Sequence, residues 1–145
     1  MRIKFDANQD FQIDAIRAVV DLFEGQDKSA SKMIAGNGIL GIYPNVVSLS
    51  KEDILANSAK IQEQNGTANG NAVTDLDFSI EMETGTGKTY VYLRTIFELN
   101  KKYGWKKFII LVPSVAIREG VVKTLNITKD HFAELYDNTP YRFYE

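Results

Sequence analysis

Apolar residues recur every three or four positions between Asp6 and Phe23, and polar residues fill the positions between them. This spacing puts the apolar side chains on one stripe, which predicts an amphipathic helix that packs by that stripe against a core. Gly25 follows and is expected to end the helix. The stripe consists of Phe11, Ala15, Ile16, Val19, Val20 and Phe23.

Further along, the pattern alternates between strand and helix. Residues 78 to 82 alternate apolar with polar and predict a short strand, and a helical pattern then runs from 90 to 103, with Gly104 as its C-terminal cap. The nearly continuous apolar run 107 to 112 predicts a parallel strand buried on both faces, and Ser114 is expected to cap the helix that follows. Short connections between these elements predict a right-handed parallel crossover and the α/β class.

Residues 25 to 75 depart from this pattern and read as an insertion before the strand at 78 to 82. Glycines punctuate its first half, where residues 39 to 43 and 45 to 49 are predicted as short strands. Ser50, with an acidic residue three positions later, is predicted to begin a capped helix. Residues 65 to 74 are mostly small or polar and are predicted to form a flexible loop.

The end of the chain is predicted to contain a short helix up to Leu135, a turn at 137 to 140 and a strand that has only begun at 141 to 145. His131 is the only histidine, and there is no cysteine. A metal site around it is therefore not expected, and we predict that His131 lies on a helix surface.

Composition narrows the class of protein. A chain of 145 residues with 44% hydrophobic residues suits one domain with a core of its own. The formal net charge of −2 provides no overall field for binding a polyanion, so a nucleic-acid partner would need a local patch or parts of a longer protein. No apolar run approaches the roughly 18 residues that span a bilayer, and no signal peptide is evident, which favours a cytoplasmic protein without a membrane partner.

The turn between the strand at 78 to 82 and the next helix contains Gly85, Gly87, Lys88 and Thr89. Glycines at such a junction allow backbone N–H groups to converge on an anion, where the helix N-terminus adds its positive dipole end. In a phosphate-binding loop the lysine contacts the β- and γ-phosphates and the threonine hydroxyl coordinates Mg²⁺. The alternative is a plain strand-to-helix connection with an exposed lysine.

Gln12 stands beside the apolar stripe of the first helix. Its side-chain amide offers one acceptor and two donors in a plane, which is the chemistry that pairs with the edge of adenine. The alternative interpretation is a solvated glutamine on a helix surface.

Three pieces of the chain together resemble the opening of a superfamily-two helicase motor. The pieces are Phe11 to Ile16, Met82 to Thr89 and Leu111 to Ser114. More closely, the strings Met-Glu-Thr-Gly-Thr-Gly-Lys-Thr and Val-Pro-Ser-Val-Ala-Ile-Arg-Glu-Gly are similar to those of the Res subunit of type III restriction–modification enzymes. The resemblance also accounts for Met82, which stands where the general phosphate-loop pattern has glycine.

This resemblance implies a three-layer, parallel-sheet P-loop NTPase (RecA-like) motor domain, with an insertion before the P-loop strand. It implies that the chain, residues 1 to 145, is an incomplete N-terminal fragment of that domain. In the full protein, ATP hydrolysis would drive movement on DNA and then cleavage, together with a modification methyltransferase subunit. Because no acidic pair follows a strand and no second motor domain supplies arginines, we expect little or no hydrolysis by the fragment alone.

The resemblance also implies roles for individual residues. Gln12 would read adenine, Thr89 would coordinate Mg²⁺, and Lys88 and Thr89 would take part in catalysis. The segment after the second strand would touch the nucleic-acid backbone through Pro113, Ser114 and Arg118, although a strand end followed by a capped helix is the alternative there. The expected ATP-binding residues are Gln12, Thr84, Gly85, Thr86, Gly87, Lys88 and Thr89.

Other functions remain open at this stage. Another superfamily-two motor, such as a type I restriction subunit or a repair helicase, shares the same three pieces. A second alternative is a module in which residues 25 to 75 dock a partner and the nucleotide fold is only a scaffold. A small-molecule kinase is disfavoured by the strand ending at Ser114, by the context of Gln12 and by the lack of a substrate-lid pattern.

Overall fold

The computed structural model describes residues 5–30, 44–67 and 73–145. The chain there forms α1 (Asp10–Val20), α2 (Lys51–Gln64), α3 (Lys88–Tyr103), α4 (Val115–Ile127) and α5 (Lys129–Leu135). A 3-10 turn, Asp21–Phe23, continues the end of α1. None of these helices is long and apolar enough to cross a membrane.

Helix α3 lies at the centre of the packing and is buried on two opposite sides. Its Leu93 and Phe97 pack toward α4 and α5, while its Val91 and Leu99 pack toward α1. The first cluster comprises Tyr90, Leu93, Phe97, Val121, Leu125, Phe132 and Tyr136. The second comprises Ile16, Val20, Val91, Leu99, Tyr103 and Trp105.

Three of the helix ends lie at the predicted capping residues. Ser50 and Asp53 form a complete capping box at the start of α2, in which each side chain accepts from the backbone N–H of the other residue. The hydroxyl of Ser114 accepts a hydrogen bond from the Ile117 N–H at 3.3 Å and begins α4. Gly104 ends α3 in the left-handed conformation, with φ at 75°.

Side-chain amides tie the segment before α2, and α2 itself, to the core. Asn57 is buried and donates to the carbonyl oxygens of Leu22 and Glu24 at 3.1 and 3.0 Å. The backbone carbonyl of Val46 accepts hydrogen bonds from the Gln26 amide and the Trp105 indole. Residues 44 to 64 are thus integrated with the end of α1 and with the residues after α3.

The predicted parallel sheet does not form within the described residues, where no strand is present. Residues 78 to 82, 107 to 112, 45 to 49 and 141 to 145 belong neither to a helix nor to a sheet. A strand needs a neighbour for its backbone hydrogen bonds, and a local sequence pattern cannot supply that neighbour. The predicted strand at 39 to 43 and residues 68 to 72 of the predicted loop at 65 to 74 lie outside the described residues.

The apolar run at 107 to 112 is buried on one side only. Phe108 and Val112 pack against the two core clusters, whereas Ile109 is 88% exposed and Leu111 is 90% exposed. The prediction of burial on both faces is therefore wrong for Ile109 and Leu111. The alternation itself has the period of a strand.

His131 lies on α5, as predicted, and is half-buried there. Its Nε2 lies 2.8 Å from the Tyr90 hydroxyl, and its ring lies 5.3 Å from the Phe5 ring. Burial, with a smaller contribution from the charge of Arg94, lowers the pKa of His131, while Glu134 opposes that shift. The partner Tyr90 is 41 positions away in the sequence, so no local pattern could identify it.

We predict that replacing Asn57 by Asp lowers the free energy of unfolding by about 1–3 kcal/mol, because two carbonyl groups then lose their donor to a carboxylate that repels them. Urea denaturation measures this difference. The control is Asn65→Asp at the exposed end of α2, which should change the free energy of unfolding by less than about 0.5 kcal/mol. Equal losses in the two variants would show that the Asn57 amide does not hold the end of α1.

We also predict that stability falls as the pH drops below the ordinary histidine pKa of 6.5. The unfolded chain takes up a proton there while folded His131 stays neutral to lower pH, so protonation favours unfolding. The measurement is the free energy of unfolding between about pH 5.5 and pH 7.5, above the range where carboxylates titrate. His131→Gln should flatten this dependence, and an unchanged slope would contradict it.

Candidate phosphate-binding site

The loop before α3 has the backbone that its glycines were predicted to allow. Gly85 and Gly87 both have φ at 84°, in the left-handed region that other residues adopt only with strain. Gly87 is also the N-cap residue of α3. Apart from Gly85 and its two chain neighbours, no atom of the described residues lies within 4 Å of the place where a Cβ on Gly85 would be.

The N-terminus of α3 has no side-chain cap. Its N-cap residue is Gly87, which has no side chain, and the first turn contains no acidic residue. The first N–H groups of a helix lack partners within the helix, and the macrodipole places partial positive charge at the same point. This helix end has the features that bind an anion.

Lys88 folds back onto the loop that precedes it. Its Nζ donates to the carbonyl oxygens of Met82 and Glu83 at 2.6 and 2.7 Å. The Thr86 hydroxyl also donates to the Glu83 carbonyl, at 2.7 Å. Sequence reasoning missed these acceptors because a backbone carbonyl is present at every position and gives no signal of residue type.

Gln12 reaches the same loop from α1. It is only 7% exposed, and its Nε2 donates to the Thr86 carbonyl at 2.8 Å. A Cβ on Gly87 would lie 2.8 Å from this nitrogen, so the amide packs directly on the glycine. The interpretation of Gln12 as a solvated surface glutamine is therefore wrong, and its reading of adenine stays a prediction.

The two remaining threonines of the motif differ in exposure. Thr84 is exposed, and Thr89 is half-buried in the first turn of α3, directly after Lys88. No group of three or more His, Cys, Asp or Glu side chains suited to a metal ion occurs in residues 5–30, 44–67 and 73–145. The coordination of Mg²⁺ by Thr89 stays a prediction.

The predicted nucleic-acid segment is exposed at the start of α4. Pro113 and Ser114 are both exposed, and the hydroxyl of Ser114 serves as the helix cap. Arg118 forms ion pairs with Glu119 at 3.2 Å and with Glu145 at 3.4 Å. In the part of the chain that the structure describes, no hydrogen bond or ion pair joins this segment to the phosphate loop.

Comparison with known proteins identifies relatives over most of the chain. Residues 7–140 match the family model described as type III restriction enzyme, res subunit. The chain is 36% identical over 138 residues to the EcoP15I Res subunit of Escherichia coli, covering 90% of this chain and 14% of that protein. It is 35% identical over 139 residues to the EcoPI Res subunit of Escherichia phage P1, covering 92% of this chain and 14% of that protein.

A shorter match adds to these. Over 65 residues the chain is 48% identical to the StyLTI Res subunit of Salmonella typhimurium, covering 43% of this chain and 7% of that protein. The predicted resemblance to type III Res subunits is confirmed. The chain spans 14% of the length of the first two relatives.

We predict that Gly87→Ala and Gly85→Ala both lower the free energy of unfolding, since each places Ala at a φ of 84°. Gly87→Ala should cost about 1 kcal/mol more, because the new methyl group pushes the Gln12 amide away from Thr86. Urea denaturation of both variants, alone and combined with Gln12→Ala, measures this difference. The difference between the two glycine variants should disappear in the Gln12→Ala background. If both variants lose the same free energy of unfolding when Gln12 is present, the Gln12 amide does not pack on Gly87.

Proposed function

The chain belongs to the type III restriction enzyme Res subunit family, and we propose that it is the ATP-binding portion of the DNA-translocating motor of such a subunit. In the whole Res subunit, ATP hydrolysis drives movement along DNA and then DNA cleavage, in association with a modification methyltransferase subunit. The chain described here supplies the phosphate-binding loop, and ATP with Mg²⁺ is its ligand.

The observation that carries this proposal is the uncapped N-terminus of α3 beside Gly87 and Lys88. A triphosphate brings several negative charges, and it meets there the free N–H groups, the positive end of the helix and an ammonium group. Among the described residues outside the loop's own neighbours, no atom lies within 4 Å of a Cβ position on Gly85, which supports an approach to the loop from that side. The residues present thus fit a bound nucleoside triphosphate.

We propose a role for each loop residue, supported by its position beside the N-terminus of α3. The backbone from Thr84 to Gly87 surrounds the phosphates, and Lys88 neutralises their charge. Thr89, in the first turn of α3, provides a hydroxyl for Mg²⁺, which would screen the phosphate charges. Gln12, seated on the loop, presents its amide to adenine.

We propose that Pro113, Ser114 and Arg118 contact the phosphate backbone of DNA. Support comes from their exposure at the N-terminus of α4, where a phosphate gains from the helix dipole. The ion pairs of Arg118 with Glu119 and Glu145 are exposed, and such pairs contribute only about 0–1 kcal/mol, so a phosphate can replace them.

We also propose that residues 78 to 82 and 107 to 112 are strands of the parallel sheet that this family implies. The support is the period-two exposure of the second segment, in which Phe108 and Val112 face the core and Ile109 and Leu111 face outward.

We predict that the chain binds Mg²⁺–ATP with weak or modest affinity and that Lys88→Ala lowers this affinity roughly tenfold or more, because a charge-assisted hydrogen bond is lost. Isothermal titration calorimetry measures both forms, and Lys60→Ala on the exposed side of α2 is the matched control. Thermal unfolding of each variant tests whether it is folded. Equal affinity of native and Lys88→Ala chains would sink the proposal.

A further inference from the structure

We infer that Gln12 is a positioning residue of the phosphate loop, whose side-chain amide sets the Thr86–Gly87 peptide group for phosphate before any base is bound. The inference rests on the proposed binding of phosphate by this loop. It differs from the reading of adenine, because it concerns ligands that have no base at all.

Helix α1 holds the backbone of Gln12 in a fixed position. Ile16, one turn further along the same helix, is 4% exposed and belongs to the core cluster with Val91 and Leu99 of α3. Gln12 itself is 7% exposed. A buried side chain on a packed helix has few other rotamers open to it, so its amide is held at a defined place beside the loop.

The contact has only one chemically sensible orientation. The acceptor is a backbone carbonyl, that of Thr86, so the NH₂ side of the Gln12 amide must face it at 2.8 Å. The same nitrogen lies 2.8 Å from the position of a Cβ on Gly87, so it also packs beside the Cα of Gly87, at the far end of this peptide unit.

The contact with the Thr86 carbonyl also fixes the direction of the Gly87 N–H, a donor available to phosphate. The C=O of Thr86 and the N–H of Gly87 belong to one planar trans unit, in which the two bonds point in opposite directions. A carbonyl held toward Gln12 therefore aims the Gly87 N–H away from α1. Because Gly87 has φ at 84° and no Cβ, little else in its own structure prevents this peptide from rotating.

The Gln12 amide retains the groups that base recognition needs. One N–H bonds to Thr86, and among the described residues no hydrogen bond is made by its second N–H or its carbonyl oxygen. One donor and one acceptor in a plane suit the edge of adenine. A single side chain can thus orient the loop and read the base, and the two functions can be separated by experiment.

The test uses Mg²⁺–tripolyphosphate, which has the phosphates of ATP and no base. Gln12→Met has a similar volume and no donor, and we expect it to bind tripolyphosphate about fivefold more weakly than the native chain, the effect of one lost hydrogen bond. Gln64→Met, at the exposed end of α2, is the control and should bind as the native chain does. Calorimetry with Mg²⁺–ATP and Mg²⁺–tripolyphosphate is run in parallel.

The outcomes separate the inference from the proposed function. If Gln12→Met weakens ATP binding and leaves tripolyphosphate binding unchanged, Gln12 only reads the base and the inference is overturned. If the native chain binds neither ligand, the proposed function fails and the inference fails with it. A loss of affinity for both ligands in Gln12→Met, with the control unchanged, supports the inference.

A second measurement needs no ligand. In the nucleotide-free chain, ¹⁵N relaxation should show a more mobile Gly87 N–H in Gln12→Met than in the native protein, with the amides of α3 beyond its first turn unchanged. Gln12→Asn, shorter by one methylene group, should behave in the same way because it cannot reach the Thr86 carbonyl. A Gly87 amide equally rigid in all three chains would overturn the inference, whatever the affinities.

Discussion

The burial of α3 on two sides is the constraint on which the rest of the structure depends. One side packs against α1 through Val91 and Leu99, and the other packs against α4 and α5 through Leu93 and Phe97. A helix enclosed in this way cannot rotate or slide without opening one of the clusters. Its N-terminus, and the loop that leads into it, are therefore held in a fixed relation to α1, and this relation brings Gln12 onto the loop.

The helices and their ends were predictable because their causes are local. Ser50, Ser114 and Gly104 act within one turn of the helix that each begins or ends, so their residue types are sufficient evidence. The strands were less predictable. A run of apolar residues predicts that a segment is buried, but it does not identify the segment that packs against it. Ile109 and Leu111 are exposed among the described residues.

The loop before α3 was predictable from its residue types, and its internal contacts were not. Two glycines before Lys88 and Thr89 indicate a loop at a helix N-terminus, and the structure has that loop. The contact of Gln12 with Thr86 joins residues 74 positions apart, and it ends on a backbone carbonyl. Neither feature can be recognised in the sequence, so Gln12, beside the apolar stripe of α1, could equally be interpreted as a surface residue.

Lys88 and Gln12 hold the loop by the same physical means. An ammonium group has three donors, and that of Lys88 uses two of them on the carbonyls of Met82 and Glu83. Because the donors are arranged tetrahedrally, these two bonds determine the direction of the third. A phosphate that accepts from the third donor need not displace the loop contacts, so its binding does not have to offset their loss. Side chains that are already held by hydrogen bonds to the backbone lose little conformational freedom when a ligand binds. A site built in this way is preorganised.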